Sequence, residues 1–297
     1  MRKDPPTRPR RSLLFSPAAN SRALEKAKSL HPDVLIFDLE DSALPEDKPA
    51  CRDRAVAAVR DPGYGSRERL VRVNALDTPW GADDLRAAAS AGADGVVVPK
   101  IECAADITAA ARIIAGTGDG RTNLWVMIET ARALLEIGEI ARTAAQPECS
   151  FAGFILGTND IARETRAAMV RGRGPMLSWI SQCVLAARAW GHVVIDSVYN
   201  DFRDLDGLQA ECEQGVQLGM DGKTVIHPAQ IDVVNRVYAP SDEELQRAQH
   251  IASAFELPEN QGKAVISIDG QMVERLHLEM ALRTLQIAGA IRTLHGQ

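Results

Sequence analysis

Eight short apolar runs recur along the chain, at Ser12–Phe15, Asp33–Leu39, Leu70–Val73, Gly95–Val98, Leu124–Ile128, Phe151–Leu156, His192–Asp196 and Lys223–Ile226. They are nearly continuous in Val, Ile, Leu and Phe and do not alternate with polar residues, the pattern of parallel strands buried on both faces. Between them lie Ala-, Arg- and Glu-rich segments of helical length, such as Asn20–Ser29, Ala82–Ala91, Ala104–Ala115, Thr130–Ala144 and Met176–Trp190. Eight such units predict a TIM (β/α)8 barrel over residues 11–238. The count of eight, and the lack of a Gly-rich phosphate fingerprint after the first run, disfavour an open doubly wound sheet. Residues 239–297 form a short extension: a helix over Asp242–Phe255, two strand-like runs at Ala264–Ile268 and Gln271–Val273 turning at Asp269-Gly270, and an amphipathic helix from Glu274 to Ile291. Such an appendage suits a lid or an oligomerisation element. Residues 1–10 read as a flexible basic, Pro-rich arm without the apolar stretch of a secretory signal.

In a barrel the chemistry belongs at the C-terminal ends of the strands. There the sequence supplies Asp38, Glu40 and Asp41, then Arg72 and Asn74, Lys100, Glu129, Gly157 to Asp160, Asp196 and Ser197, and His227. Glu129 and Asp160 come from adjacent strands and make a divalent-metal pair, although either alone would serve equally as a helix-cap acid. All-oxygen ligation selects Mg²⁺, with Mn²⁺ as the alternative. His227 has no partner at ligand spacing among His31, His192, His250, His277 and His295, and reads as a packed turn residue. Arg72, inside Leu-Val-Arg-Val-Asn, cannot reach water by extending and must pair with an acid or a bound anion. Lys100, with Glu102 two residues on, reads as an electrostatic residue rather than a Schiff-base nucleophile. Asp38, Glu40 and Asp41 crowd like charges that Arg72, Lys48 and Arg52 would answer, which makes them supporting acids.

Taken in order, Arg-Ser-Leu-Leu-Phe-Ser-Pro (11–17), Phe-Asp-Leu-Glu-Asp-Ser (37–42) with Lys48, Val-Arg-Val-Asn (71–74), Val-Pro-Lys (98–100), Ile-Glu-Thr (128–130), Gly-Thr-Asn-Asp (157–160), Ile-Asp-Ser-Val-Tyr (195–199) and Gly-Lys-Thr-Val-Ile-His-Pro-Ala-Gln-Ile (222–231) give the chain a family likeness. From about Arg11 to Gly289 it resembles the citrate lyase beta subunit-like branch of the HpcH/HpaI aldolase and citrate lyase family, which includes malyl-CoA and citramalyl-CoA lyases. The resemblance implies that Glu129 and Asp160 hold Mg²⁺, that Arg72 stabilises a thioester enolate, and that the backbone at Gly157, Thr158 and Asn159 receives a substrate carboxylate. It implies cleavage of a 3-hydroxy-3-carboxyacyl-CoA to acetyl-CoA and a 2-oxo acid such as pyruvate or glyoxylate. A free-acid 2-oxo aldolase, a carrier-dependent citrate lyase beta subunit and a malyl-CoA thioesterase stay open as alternatives. The family's C-terminal acid, often supplied by a neighbouring subunit, is an Asp; this chain offers Glu274 there, and Ala18 where relatives commonly have Gly. Arg11, Arg22 and Lys26, near the first strand and its helix, are the candidate partners of the CoA phosphates. A homotrimer or hexamer is the assembly the family implies.

Other segments carry smaller expectations. Arg163–Gly174, basic and Gly-rich, reads as a lid loop after Asp160; Asp201, Asp204 and Asp206 lack the glycine and closing Glu of a calcium loop and read as helix caps. Asp232–Val237 and the final helix offer Val, Ile and Leu to a subunit interface. Cys51, Cys103, Cys149, Cys183 and Cys212 show no paired spacing and read as reduced, mostly buried thiols, as in a cytoplasmic protein. A net charge of −6 and the absence of any membrane-length apolar run argue against nucleic-acid and membrane partners.

Overall fold

A computed structural model describes residues 8–117 and 120–295. The arm expected over residues 1–10 falls outside the described residues up to position 7. Eight parallel strands close into a barrel in sequence order, each β-strand hydrogen-bonded to the next and β8 to β1. In chain order the elements are β1 (Ser12–Pro17), α1 (Ser21–Ala27), β2 (Val34–Asp38), α2 (Lys48–Arg60), β3 (Glu68–Arg72), α3 (Gly81–Ser90), β4 (Gly95–Val98), α4 (Ala104–Ala115), β5 (Asn123–Ile128), α5 (Ala131–Ala144), β6 (Phe151–Leu156), α6 (Thr158–Thr165), α7 (Leu177–Trp190), β7 (Val193–Asp196), α8 (Leu205–Leu218), β8 (Gly222–Val225) and α9 (Ile231–Val237). All eight expected strands form, and the α/β barrel is the observed fold.

The strands alternate between two cores because successive side chains point to opposite faces. Leu13, Val34, Ile36, Leu70, Val97, Trp125, Met127, Ile155 and Ile195 fill the barrel interior. The residues between them, among them Leu14, Leu35, Phe37, Val71, Val96, Val126, Phe154 and Val194, pack outward against the helices. Trp125 is the bulkiest fully buried side chain, and the neighbouring strands carry glycine beside it. A Cβ added at Gly95 or Gly153 would lie 2.9 or 2.8 Å from the indole, and one at Gly153 also 2.6 Å from the Val193 carbonyl oxygen, so the ring and the strand backbone together exclude a side chain at both positions.

Local chemistry starts several of the helices. Asn20 accepts from the amides of Arg22 and Ala23, Thr130 from Ala133, and Asp204 from Gly207. The Asp204 cap agrees with the reading of the 201–206 acids, and the helix begins at Leu205. Asp232–Val237 behaves differently from its expectation. Val233 and Val234 are buried in the core cluster of the barrel, so this stretch is not an exposed apolar face.

Residues from Ala239 form a second compact unit. It comprises α10 (Asp242–Glu256), opened by a Ser241/Glu244 capping box, the antiparallel strands β9 (Val265–Ile268) and β10 (Gln271–Glu274), and α11 (Arg275–His295). The hairpin turns on Asp269 and Gly270, both with positive φ (51° and 78°), as a two-residue type I′ turn requires. Phe255, Ile266 and Val273 make its small core. Met272, Leu276 and Met280, four residues apart, remain exposed. Among the described residues no helix is long and apolar enough to cross a membrane.

Candidate active site

The top layer of the barrel interior is polar, and the strand pleat explains which residues form it. Asp38, Arg72 and Glu129 each lie two positions beyond an interior residue, Ile36, Leu70 and Met127, and so continue the inward face at the mouth. Arg72 is the hub. Its guanidinium grips Asp38 through Nε (2.6 Å) and Nη2 (2.9 Å), reaches Glu40 at 2.8 Å and Asp41 at 3.3 Å, and lies over the Phe15 ring at 4.8 Å. Burial alone would push the Arg72 guanidinium down, but Asp38, Glu40 and Asp41 outweigh it and hold the group above its ordinary value. Burial drives the Glu40 carboxyl up to about 8, against the pull of Arg72 and with the help of Glu129. Its Oε2 is close to Arg72 yet out of hydrogen-bonding alignment, so a buried oxygen is left without a true hydrogen bond. Asp41 is exposed and contributes only at the lip.

Lys48 and Arg52 take other roles than the expected neutralisation of these acids. Lys48 is buried and donates to the carbonyls of Leu39 and Glu40 and to Asn74 Oδ1, which fixes the turn after β2. Arg52 pairs with Asp84 at 2.6 Å. Glu102 likewise leaves Lys100 and pairs with Arg132 at 3.0 Å.

Lys100 instead joins the two expected metal ligands. Its Nζ lies 2.8 Å from Asp160 and 3.3 Å from Glu129, and its amide donates to Glu129 Oε1 at 2.8 Å. Lys100 adopts φ 55°, a left-handed conformation costing on the order of 1 kcal/mol for a side chain of this type. Burial works to lower the Lys100 ammonium, but the Asp160 hydrogen bond and the Glu129 charge hold it raised. Burial raises the Glu129 carboxyl, although Lys100 opposes it.

Glu129 Oε2 is buried with no hydrogen-bond partner. It faces Gly157, where an added Cβ would stand 2.6 Å from that oxygen. An orphaned carboxylate oxygen, a second carboxylate converging on the same ammonium and a backbone pared to glycine together fit an oxygen-ligated divalent cation. Among the described residues no group of three or more His, Cys, Asp or Glu side chains is arranged to hold a metal ion. Glu129 and Asp160 would therefore supply two ligands, leaving the rest of an octahedron to water and substrate.

Asp160, expected at the end of β6, stands in the first turn of α6. The amides of Thr158, Asn159 and Asp160 precede the first helical hydrogen bond, from Ile161 to Gly157, and lie at the positive end of the helix. The segment expected to be a lid is helical through Thr165, and Arg173 is buried, held to Asp196 at 2.7 and 2.8 Å. A cavity of about 400 Å³ opens between this segment and α8. Its walls include Thr158 and Arg171 but neither Glu129 nor Asp160, so it is a neighbouring recess rather than the metal site. Asp196 is a buried ion-pair residue and not a rim acid, a role that sequence reasoning missed because Arg173 lies 23 residues away. His227 stacks on Phe202 at 4.4 Å and accepts from the Ala229 amide, a turn residue as expected.

The phosphate candidates separate. Arg11 precedes β1 and therefore lies at the N-terminal end of the barrel, opposite the mouth, buried against Asp33 through three hydrogen bonds of 2.8 to 2.9 Å. Its position before the strand was itself the signal that it belongs to the wrong end. Arg22 and Lys26 are exposed on α1. Glu274 ends β10 in the second unit, with its amide bonded to His277 Nδ1. All five cysteines are free thiols and four are buried.

Comparison with known proteins gives a consistent result. The model of the family described as HpcH/HpaI aldolase/citrate lyase matches residues 11–228. A (3S)-malyl-CoA thioesterase of Cereibacter sphaeroides (strain KD131 / KCTC 12085) is 44% identical over 283 residues, covering 95% of this chain and 96% of its own. The citrate lyase subunit beta of Escherichia coli (strain K12) is 35% identical over 274 residues, 90% of this chain and 89% of its own. The crystal structure of CitE from Mycobacterium tuberculosis in complex with magnesium, acetoacetate and coenzyme A superposes with a TM-score of 0.74 at 32% identity, covering 94% of this chain and 98% of that one.

Proposed function

Because this chain belongs to the HpcH/HpaI aldolase/citrate lyase family, we propose that it is a Mg²⁺-dependent carbon–carbon lyase that cleaves a 3-hydroxy-3-carboxyacyl-CoA to acetyl-CoA and a 2-oxo acid. The observation that carries the reading is the convergence of Glu129, with its orphaned oxygen, and Asp160 beside the buried Arg72. When bound by these two carboxylates, Mg²⁺ supplies Lewis-acid charge for the oxygens of the 2-oxo-acid fragment. The amides of Thr158 and Asn159 hold that fragment's carboxylate at the positive end of α6, without the Gly157 amide expected beside them, which donates to the Ile128 carbonyl at 3.0 Å. Arg72, pre-set by Asp38, meets the negative charge that develops on the thioester oxygen as the carbon–carbon bond breaks. Glu40 lies against Arg72 at 2.8 Å and completes the acidic surround of its guanidinium. A base takes the substrate's hydroxyl proton as the carbonyl of the 2-oxo acid forms and the carbon–carbon bond breaks, and Glu274, delivered from a neighbouring subunit, gives the enolate carbon its proton. Arg22 and Lys26 meet the CoA phosphates. The exposed Met272, Leu276 and Met280 support a homo-oligomer, with a trimer or hexamer as the assembly.

A second reading is hydrolysis of the thioester, favoured by the relative at 44% identity that is a (3S)-malyl-CoA thioesterase. One assay separates the two. Purified protein is given malyl-CoA and citramalyl-CoA with Mg²⁺, then with chelator, and both free thiol and oxo acid are followed. Oxo acid without thiol is the lyase outcome, thiol without oxo acid the hydrolase outcome; oxo-acid release that survives chelation and Glu129→Ala sinks the metal-dependent lyase, and no turnover of either ester sinks both.

A further inference from the structure

The first turn of α6 carries Asp160 and the three unbonded amides, and two side-chain pairs tie it to the segment after β7. Thr158 Oγ1 lies 2.7 Å from Ser197 Oγ, and Asn159 and Asn200 exchange two amide hydrogen bonds of 2.9 Å each. The hydroxyl pair is buried, so neither partner can turn to water when the other is removed. Behind Ser197 stands a cluster of buried charge. The Ser197 amide donates to Asp196 Oδ1 at 2.8 Å; Asp196 is gripped by Arg173 Nη1 through both oxygens and by Lys223 Nζ at 3.1 Å; Lys223, fully buried, reaches Glu211 at 2.7 Å. Two cations and two carboxylates are thereby balanced. Such clusters add little net stability, because desolvation offsets most of the attraction, and what they supply is a fixed geometry.

The contact sequence runs from Arg173 through Asp196 and Ser197 to Thr158. Thr158 is flanked by Gly157, which packs on Glu129, and lies two residues before Asp160. We propose that Ser197, locked by the Arg173–Asp196 pair, is a positioning residue that sets the first turn of α6 and so holds Asp160 and the α6 amides in register with Glu129. Asn200 is the outer, exposed tie of the same turn. The inference rests on the reading of Glu129 and Asp160 as metal ligands, and it concerns how far their geometry depends on a residue that touches neither metal nor substrate.

The test uses the full chain with Ser197→Ala, Asn200→Ala and Asp160→Asn, following Mn²⁺ binding by electron paramagnetic resonance, KM and kcat separately, and thermal unfolding. Ser197→Ala is expected to weaken Mn²⁺ binding roughly ten-fold, the scale of losing an outer-sphere partner, and to raise KM for the thioester more than it lowers kcat. Its melting temperature falls by only a few degrees, about 2–4 °C for each kcal/mol lost at the unsatisfied Thr158 hydroxyl, so the chain stays folded. Asn200→Ala shifts the same quantities less. Unchanged Mn²⁺ affinity and KM in Ser197→Ala, while Asp160→Asn loses Mn²⁺, overturns the positioning role alone. Mn²⁺ binding that survives Asp160→Asn overturns the metal reading on which it stands.

Discussion

Gly157→Ala isolates the steric requirement of the proposed metal site from every other property of the residue. Gly157 has φ −118°, a backbone that alanine adopts without strain, so the added methyl group is the only change. That methyl would sit 2.5 Å from Glu129 Cβ and 2.6 Å from Glu129 Oε2. Ordinary carbon contacts begin near 3.5 Å, so the two groups must part by roughly 1 Å. The Cβ is fixed to β5 and cannot swing away, which forces the displacement onto the carboxylate or the turn into α6. A misplacement of about 1 Å costs on the order of 10²-fold in rate, or about 2.7 kcal/mol of transition-state stabilisation. The assay is kcat/KM for Mg²⁺-dependent thioester cleavage, with Mn²⁺ affinity measured alongside. Gly138→Ala is the control: it lies exposed on α5 with nothing within 4 Å of its added Cβ, and should leave activity alone while stabilising the helix by about 0.5–1 kcal/mol. A Gly157→Ala enzyme within three-fold of its parent in both rate and metal affinity would refute the reasoning.

Three further outcomes are expected. Arg72→Lys keeps a charge but loses the two-pronged grip on Asp38, and should lower kcat by about 10²-fold or more; near-parental turnover would remove Arg72 from the chemistry. Trp125→Ala empties the barrel interior between Gly95 and Gly153 and should cost about 3–5 kcal/mol in a denaturant titration, so a loss below about 1 kcal/mol would mean the strands collapse onto the void. His192 is buried against the edges of Phe151 and Phe154, and burial lowers its protonation tendency despite a hydrogen bond to the Ala141 carbonyl. Because the folded state disfavours the charged ring, the stability His192 contributes is present above its unfolded value of about 6.5 and is lost as pH falls below it. His192→Gln should therefore flatten the acid side of the stability profile, and an unchanged slope between pH 7 and 5 would contradict this.

The sequence made the strands legible where both faces are buried, as in β5 and β6, whose apolar runs leave no other reading. It hid the start of β3. Glu68 and Arg69 look like loop residues, but Glu68 is buried and gripped by Arg10, a partner 58 positions away that hydropathy cannot show. Helix α2 passed unnoticed because Pro49 and its many charges mask a narrow inner face of Cys51, Ala55, Ala58 and Val59. Within the site, Glu129 and Asp160 stood out by their place at strand ends. Their shared ammonium did not, since Glu102 was the nearer acid to Lys100 in sequence and the left-handed turn at Lys100 redirects its side chain. The Arg173–Asp196–Lys223 cluster was invisible for the same reason as the Arg10–Glu68 pair, namely that ion pairs closed by topology have no local spacing.

Trp125, Gly95 and Gly153 occupy one volume from three consecutive strands, and this ties their histories together. A side chain gained at either glycine meets the indole before the indole can shrink, while a smaller residue at 125 opens a void before either glycine can fill it. The dependence runs one way, because a Cβ at Gly153 would also stand 2.6 Å from the Val193 carbonyl oxygen, a clash that no change at position 125 relieves. Descendants of a common ancestor should therefore keep Gly153 even where position 125 has changed, and grafting Trp125 alone into a barrel lacking the two glycines should fail where the threefold graft succeeds.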